Sequence, residues 1–272
     1  MPVSFLGRSL TTVALCWRLE RQDGVALGFT SHDRDVEIEG LTYRAAPGML
    51  PSSISLSDGF DVHTLDVEGA LTSDAVTRTD LRAGRWDGAA LSIFMVDWED
   101  PAGERLAIAR GELGEVTTRG DAFEAELRGP TALLERPVVE QTSPECRAEL
   151  GDRRCRVDMA GRVRLTRVAA VLAEDRVQVA EAAPGDAYAY GCLRWMGGAN
   201  SGLDSRIRRS QGTALTLREP PPFAPAPGDL VELREGCDKS LETCAIRFAN
   251  VANFRGEPHL PGIDLLTRYP GA

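Results

Sequence analysis

Lysine is almost missing from this chain: of its 31 basic residues only Lys239 is a lysine. That bias reads as the coding preference of a GC-rich, bacterial genome rather than as function. Histidine is also scarce. His32, His63 and His259 are the only three, and they lie in separate segments, which favours neither a histidine metal centre nor a histidine-based triad. Aromatic residues make up 6%. No apolar run approaches the roughly 18 residues that a membrane-crossing helix needs, so no membrane span is expected. The chain has no GxxxxGK[ST], GxGxxG, GxSxG or HExxH string, which leaves phosphate-loop, dinucleotide, esterase and zinc-protease chemistry without support. A duplex-binding protein would carry a basic footprint; the net charge here is −10.

What is present is globular: 43% hydrophobic and 26% charged residues over 272, enough for two ordinary domains. The 27 glycines and 16 prolines suit many short strands joined by turns. Residues 1–138 carry 23 acids and 13 bases, whereas residues 139–272 carry 18 of each. The acidity therefore belongs to the first half, and the expected organisation is an acidic β-rich unit at 1–138 and a second β-rich unit at 139–272. The apolar run from Leu10 to Trp17 is cut by Arg18 and Glu20 with no small-x-small site after it, so it is not expected to be a signal peptide.

Alternation supplies the strands. Val13, Leu15, Trp17 and Leu19 share one face and Thr12, Ala14, Cys16 and Arg18 the other. Strands are also predicted near residues 25–29, 41–44, 61–71, 89–97, 105–117, 122–128, 162–171, 176–181, 213–217 and 230–233. Short helical turns are expected within 73–84, ending at Gly84, and within 131–135. Residues 220–228 form a proline-rich connector, and 248–262 an extended, ordered loop. Asp33, Asp35, Glu37 and Glu39 fall on every second residue; the glycine is misplaced for a calcium loop, and the row is expected to be a solvated strand face. Asp97, Glu99 and Asp100 are expected in a solvated turn.

The cysteines carry the chemistry. Cys146 and Cys155 are separated by eight residues, Cys237 and Cys244 by six, and both pairs lie in polar, turn-prone segments. Cys16 and Cys192 sit in apolar surroundings and are expected to be buried as small hydrophobes, with Cys192 the closer of the two to any site. A chain without export signals keeps its thiols reduced, so clustered cysteines point to metal or catalysis. Zinc knuckles usually space their ligands by two to four residues, and the gaps here are loose for that. They suit a bulkier iron–sulfur cluster, although the ferredoxin spacing is missing. Spacing alone leaves three readings open: an iron–sulfur cluster, a structural zinc, or unligated or disulfide-bonded cysteines. The arginines beside these cysteines either compensate an anionic centre or are merely solvated. Joining Cys155 to Cys237 across 81 residues closes a loop at a cost of about 3–4 kcal/mol, which a metal centre could offset.

At these residues the chain resembles a known family. The C-x8-C and C-x6-C pairs are similar to those of the iron–sulfur tail-tip protein of lambda-like phages, and the wider sequence resembles the tail-hub protein of gene transfer agents and siphophage-like tails. Gly28-Phe-Thr-Ser-His-Asp-Arg-Asp35 with Gly40-Leu-Thr-Tyr43 carries the N-terminal part of the resemblance. Phe248-Ala-Asn-Val-Ala-Asn253-Phe-Arg-Gly256-Glu-Pro258-His259 carries the C-terminal part. The resemblance implies a mainly β fold with β-barrel hub domains, a loop-rich cysteine-clustered C-terminal domain and few short helices. It implies a structural role without enzymatic activity: a homotrimer between a distal-tail ring and a large tip or fibre-like protein, around a channel crossed by DNA that is not specifically bound. It implies a 4Fe–4S cluster on Cys146, Cys155, Cys237 and Cys244, in a particle assembled in the bacterial cytoplasm. The alternatives are a zinc-stabilised β-rich binding module and, less favoured, a cysteine or zinc hydrolase, for which His259 is the only histidine base in the second half.

Overall fold

The computed structural model describes residues 4–7, 9–45, 50–51, 64–70, 76–119, 122–129 and 139–260. The helical turn expected at 131–135 lies outside them. The chain divides into two compact units, Met1–Val138 and Val139–Ala272. As expected, the fold is mainly β: among the described residues the only α-helices are α1 (Arg78–Arg82) and α2 (Leu241–Ile246). None is long and apolar enough to cross a membrane.

The first unit is a nine-stranded sheet built from β1 (Val13–Glu20), β2 (Ala26–Thr30), β3 (Val36–Ile38), β4 (Leu41–Ala45), β5 (Leu50–Pro51), β6 (Thr64–Ala70), β7 (Ala90–Asp97), β8 (Arg105–Arg119) and β9 (Ala122–Arg128). Their order is β3-β4-β2-β1-β7-β8-β9-β6-β5. The alternation read in β1 is used on both faces. Trp17 and Leu19 pack with Phe29, Leu81, Trp86, Leu91 and Ile93; Ala14 and Cys16 pack with Val36, Ile38, Tyr43, Phe94 and Val96. Helix α1 covers the first face. Thr77 caps it by accepting from the Asp80 N–H at 3.1 Å, and Gly84, at φ +71°, follows it where the sequence placed the stop.

The hairpin β3–β4 turns at Glu39 and Gly40, both at positive φ, as a tight two-residue turn requires. It sets β4 parallel to β2, with Gly28 opposite Tyr43. A Cβ on Gly28 would meet the Tyr43 ring at 2.8 Å, so the glycine that opens the N-terminal signature is needed for packing. The acids of the 33–39 row are exposed, as expected, but only Glu37 lies on a strand; Asp33 and Asp35 precede β3 and Glu39 is in the turn. Asp97 is not: it is buried and accepts from the Thr12 hydroxyl at 2.6 Å and the Glu99 N–H at 3.0 Å, which ties the end of β7 to the start of β1.

The second unit is a closed barrel of β10 (Val163–Ala173), β11 (Arg176–Val179), β12 (Cys192–Trp195), β13 (Asp204–Gln211), β14 (Ala214–Leu217) and β15 (Leu230–Arg234). Their order is β10-β11-β14-β13-β12-β15, closed by antiparallel pairing of β15 with β10. Closure removes free edges. The inward positions Val168, Val177, Leu193, Trp195, Ile207, Leu215, Leu217, Val231 and Leu233 are buried. Residues 205–211, polar and arginine-rich and without a visible strand pattern in the sequence, form β13 together with Asp204. Two of the inward positions there are Ser205 and Ser210, and the irregularity between Ile207 and Arg209 leaves Arg208 and Arg209 both exposed. Small inward hydroxyls and a bulge hide the period of two.

Ser205 has a definite task in the core, because its hydroxyl accepts from the Trp195 indole N–H at 3.0 Å. Ser205→Ala leaves that fully buried donor unpaired, an expected loss of about 1–3 kcal/mol. Urea unfolding should show it as a lower midpoint at unchanged slope.

Candidate metal centre

Barrel closure brings the two cysteine pairs together. The β10–β15 seam pairs Val163 with Arg234, and the Glu235 N–H extends the ladder to Arg162 O at 3.0 Å. Cys155 precedes β10 and Cys237 follows β15, so an antiparallel seam places both at one end of the barrel. The loops are then stitched directly: Cys146 N–H donates to Lys239 O at 2.9 Å and Arg147 N–H to Arg255 O at 3.1 Å. The long excursion is therefore closed by main-chain hydrogen bonds of the barrel, rather than depending on a metal for its closure.

Two glycines let the segment that enters Cys237 pass residues 188–191 at close range. A Cβ on Gly236 would lie 2.1 Å from both Ala189 O and Gly191 N, and one on Gly191 would lie 2.2 Å from Arg234 O. Backbone crosses backbone here, immediately before Cys237, and only glycine fits.

The nearby arginines brace the loops. Arg147 holds Glu257 with both guanidinium nitrogens, at 2.6 and 2.7 Å, and also meets Glu140. Arg154 pairs with Glu140 and donates to Arg147 O. Glu235 receives Arg162 and Arg247, each at 2.7 Å, and both guanidinium groups lie over the Phe248 ring, 5.1 and 4.8 Å from its centroid. Lys239 donates to Ala148 O and pairs with Glu149. These cations pair with carboxylates and main-chain oxygens of the cysteine loops and so brace them, whereas Arg153 and Arg156 are exposed.

Smaller groups reach the sulfurs. Lys239 N–H donates to Cys237 Sγ at 3.4 Å, Arg255 N–H to Cys146 Sγ at 3.4 Å, and the Asn250 side-chain amide to Cys155 Sγ at 3.7 Å. Cys244 lies in α2, capped by the Ser240 hydroxyl on Thr243 N–H, and its own N–H donates to Ser240 O. Asp152 orders the other loop by accepting from the Glu149, Arg154 and Cys155 N–H groups. Burial works to raise its carboxyl, but these donors outweigh burial and hold it below the ordinary range.

The thiols act on one another. Burial pushes the Cys244 thiol up, and Cys146, Cys237 and Cys155 each push it further. Burial likewise raises Cys237, partly countered by the Lys239 N–H, with Cys146 adding to the rise. Cys146, Cys155 and Cys237 all bear on Cys244, so the four thiols share one neighbourhood, and a bound cation would favour thiolates there. Among the described residues no three His, Cys, Asp or Glu side chains are close enough to share a single metal ion. Strain gathers here too: Arg156, Lys239 and Ala249 are non-glycine residues at positive φ, next to or near the cysteines.

Cys16 is buried in the first unit beside the Thr30 hydroxyl. Cys192 is half-buried on β12 between Arg206 and Arg234, and lines a cavity of about 450 Å³ together with Cys237 and Lys239. The sequence reading missed Asn250, Asn253, Glu235 and Glu257 as parts of this site. Asn250, Asn253 and Glu257 lie in the C-terminal signature segment, which was the available signal.

A sequence-family profile described as "Baseplate hub protein, N-terminal attachment domain" matches residues 3–158, and one described as "Phage conserved hypothetical protein BR0599" matches residues 186–264. Cys146 and Cys155 fall in the first and Cys237 and Cys244 in the second. A chain of a solved structure titled "Virion of native gene transfer agent (GTA) particle" is similar at a TM-score of 0.84 and 38% identity, over 98% of this chain and 94% of that one. No curated protein matches. The class is that of β-rich components of phage-like tails. Within it, the chain belongs to the baseplate hub protein family.

The clamp between Arg147 and Glu257 gives the acid response of this site. Its hydrogen bonds from Arg147, and then from Ser143 N–H, hold the Glu257 carboxyl down at about 2. The stabilisation is complete above the ordinary glutamate value of about 4.3 and is lost as pH falls toward 2. Near-UV dichroism in an acid titration should show this component in the wild type and not in Glu257→Gln. Gly236→Ala should push the segment entering Cys237 away from residues 187–191, seen as lost protection of the Glu235 and Gly236 amides in hydrogen exchange.

Proposed function

We propose that the chain is a structural tail-hub component of a gene-transfer-agent-like particle, without enzymatic activity, stabilised by a 4Fe–4S cluster on Cys146, Cys155, Cys237 and Cys244. The observation that carries the hub reading is the similarity over 98% of the chain to a chain of a gene transfer agent virion. In that role the chain forms a homotrimer joining a distal-tail ring to a larger tip or fibre-like protein around the DNA channel. Assembly in a reducing cytoplasm keeps the thiols available. Acids of residues 1–138 facing the lumen would repel phosphate, so that DNA slides without being held.

The cluster reading rests on the donor set. Four thiols from two distant segments share one neighbourhood, and three of them accept an N–H, as sulfurs that carry negative charge in a cluster would. When bound, the cluster supplies a covalent cross-link between loops that the barrel has already brought near; the chain's own residues orient the sulfurs and brace the loops.

Iron, sulfide and zinc analysis of anaerobically purified protein decides the matter. Iron and sulfide in equal amounts, with absorbance near 400 nm that is lost in Cys146→Ser, are expected. Colourless protein with one zinc per chain overturns the cluster and leaves a zinc-stabilised module.

A further inference from the structure

The C-terminal signature segment has a task at the sulfurs that the four ligands do not exhaust. After α2 the chain reverses through Ala249, at φ +48°, and three successive contacts follow. Asn250 N–H donates to Cys244 O at 3.0 Å. The Asn250 side-chain amide donates to Cys155 O at 2.6 Å and reaches Cys155 Sγ at 3.7 Å. Arg255 N–H then donates to Cys146 Sγ. One short stretch therefore touches three of the four cysteines, from both distant pairs.

The Asn250 amide has only one workable orientation. Its Oδ1 accepts from the Asn253 side-chain amide at 2.7 Å, so its NH₂ group must face Cys155. Asn253 is itself held, its N–H donating to Asn250 O at 3.0 Å. The donors to Cys146 and Cys237 are main-chain groups, fixed by the fold. Asn250 is the one side chain among the described residues that donates to a sulfur of the set, and none donates to Cys244 Sγ.

We propose that Asn250 is a positioning residue of the sulfur centre, locked by Asn253, which fixes the Cys155 ligand and tunes its bond to iron; this rests on the cluster reading above. An N–H donated to a ligating sulfur draws electron density away from it, weakens its bond to iron and raises the potential of the cluster. Loss of the donor strengthens that bond and lowers the potential. Cys244, without a donor, forms the electron-rich corner.

The test compares anaerobic wild type, Asn250→Leu and Asn253→Ala by resonance Raman spectroscopy and redox titration, with far-UV dichroism to check folding. Asn250→Leu keeps the side-chain volume and removes the donor; Asn253→Ala leaves the donor in place but frees its orientation. The expected result is an upward shift of a terminal iron–cysteine stretch with a lower midpoint potential in Asn250→Leu, and a smaller shift of the same sign in Asn253→Ala. A folded, iron-loaded Asn250→Leu protein with wild-type frequencies and potential overturns the proposal while the cluster stands. If Asn250→Leu fails to hold iron, a loaded Asn253→Ala protein with unshifted bands overturns it. Wild-type protein without iron and sulfide fails the cluster reading itself, and the proposal falls with it.

Discussion

Everything at the cysteine site depends on the antiparallel seam between β10 and β15. A strand leaving the barrel beside the strand that entered it returns the chain to its starting point, whatever lies between. The residues from Cys155 to Cys237 are thus a folded excursion with its own apolar core around Trp195, Leu193, Val231 and Leu233. Loop-closure entropy is met by the hydrogen bonds and burial of the barrel.

Around the sulfurs the polar groups divide into two layers. Charged groups stay at a distance and pair with one another: Arg147 with Glu257, Arg162 and Arg247 with Glu235. The groups that touch sulfur are neutral N–H donors. A guanidinium on the thiolates would leave its carboxylate partner unpaired, whereas a main-chain N–H carries no such partner. The left-handed residues Arg156, Lys239 and Ala249 show the backbone bent from its preferred basins at the same place.

Much of this was legible beforehand, for reasons specific to each element. Strand β1 declared itself because large apolar residues alternate without interruption from Val13 to Leu19. The four cysteines stood out by pairing in polar segments; of the two left over, Cys16 is buried in the core as its apolar neighbours suggested, whereas Cys192 is only half-buried, on the outward face of β12 beside Arg206 and Arg234. β13 was hidden by serines at inward positions, since a hydroxyl that serves Trp195 looks like a surface residue in a sequence. Asp97 was misjudged for the same reason, its buried partner Thr12 being 85 residues away. Asn250 and Asn253 could be seen as part of a signature, but their contact with Cys155 depends on a seam that no local pattern encodes.

The barrel and the sheet differ in one respect that bears on assembly. The barrel has no free margin, while the sheet of the first unit ends, among the described residues, at β3 and β5, and β3 carries the exposed Glu37 between the exposed acids Asp35 and Glu39. A three-residue edge with a charged side chain and flanking acids offers a second copy little to pair with, so uncontrolled strand-to-strand growth from that margin is discouraged by both brevity and like charge.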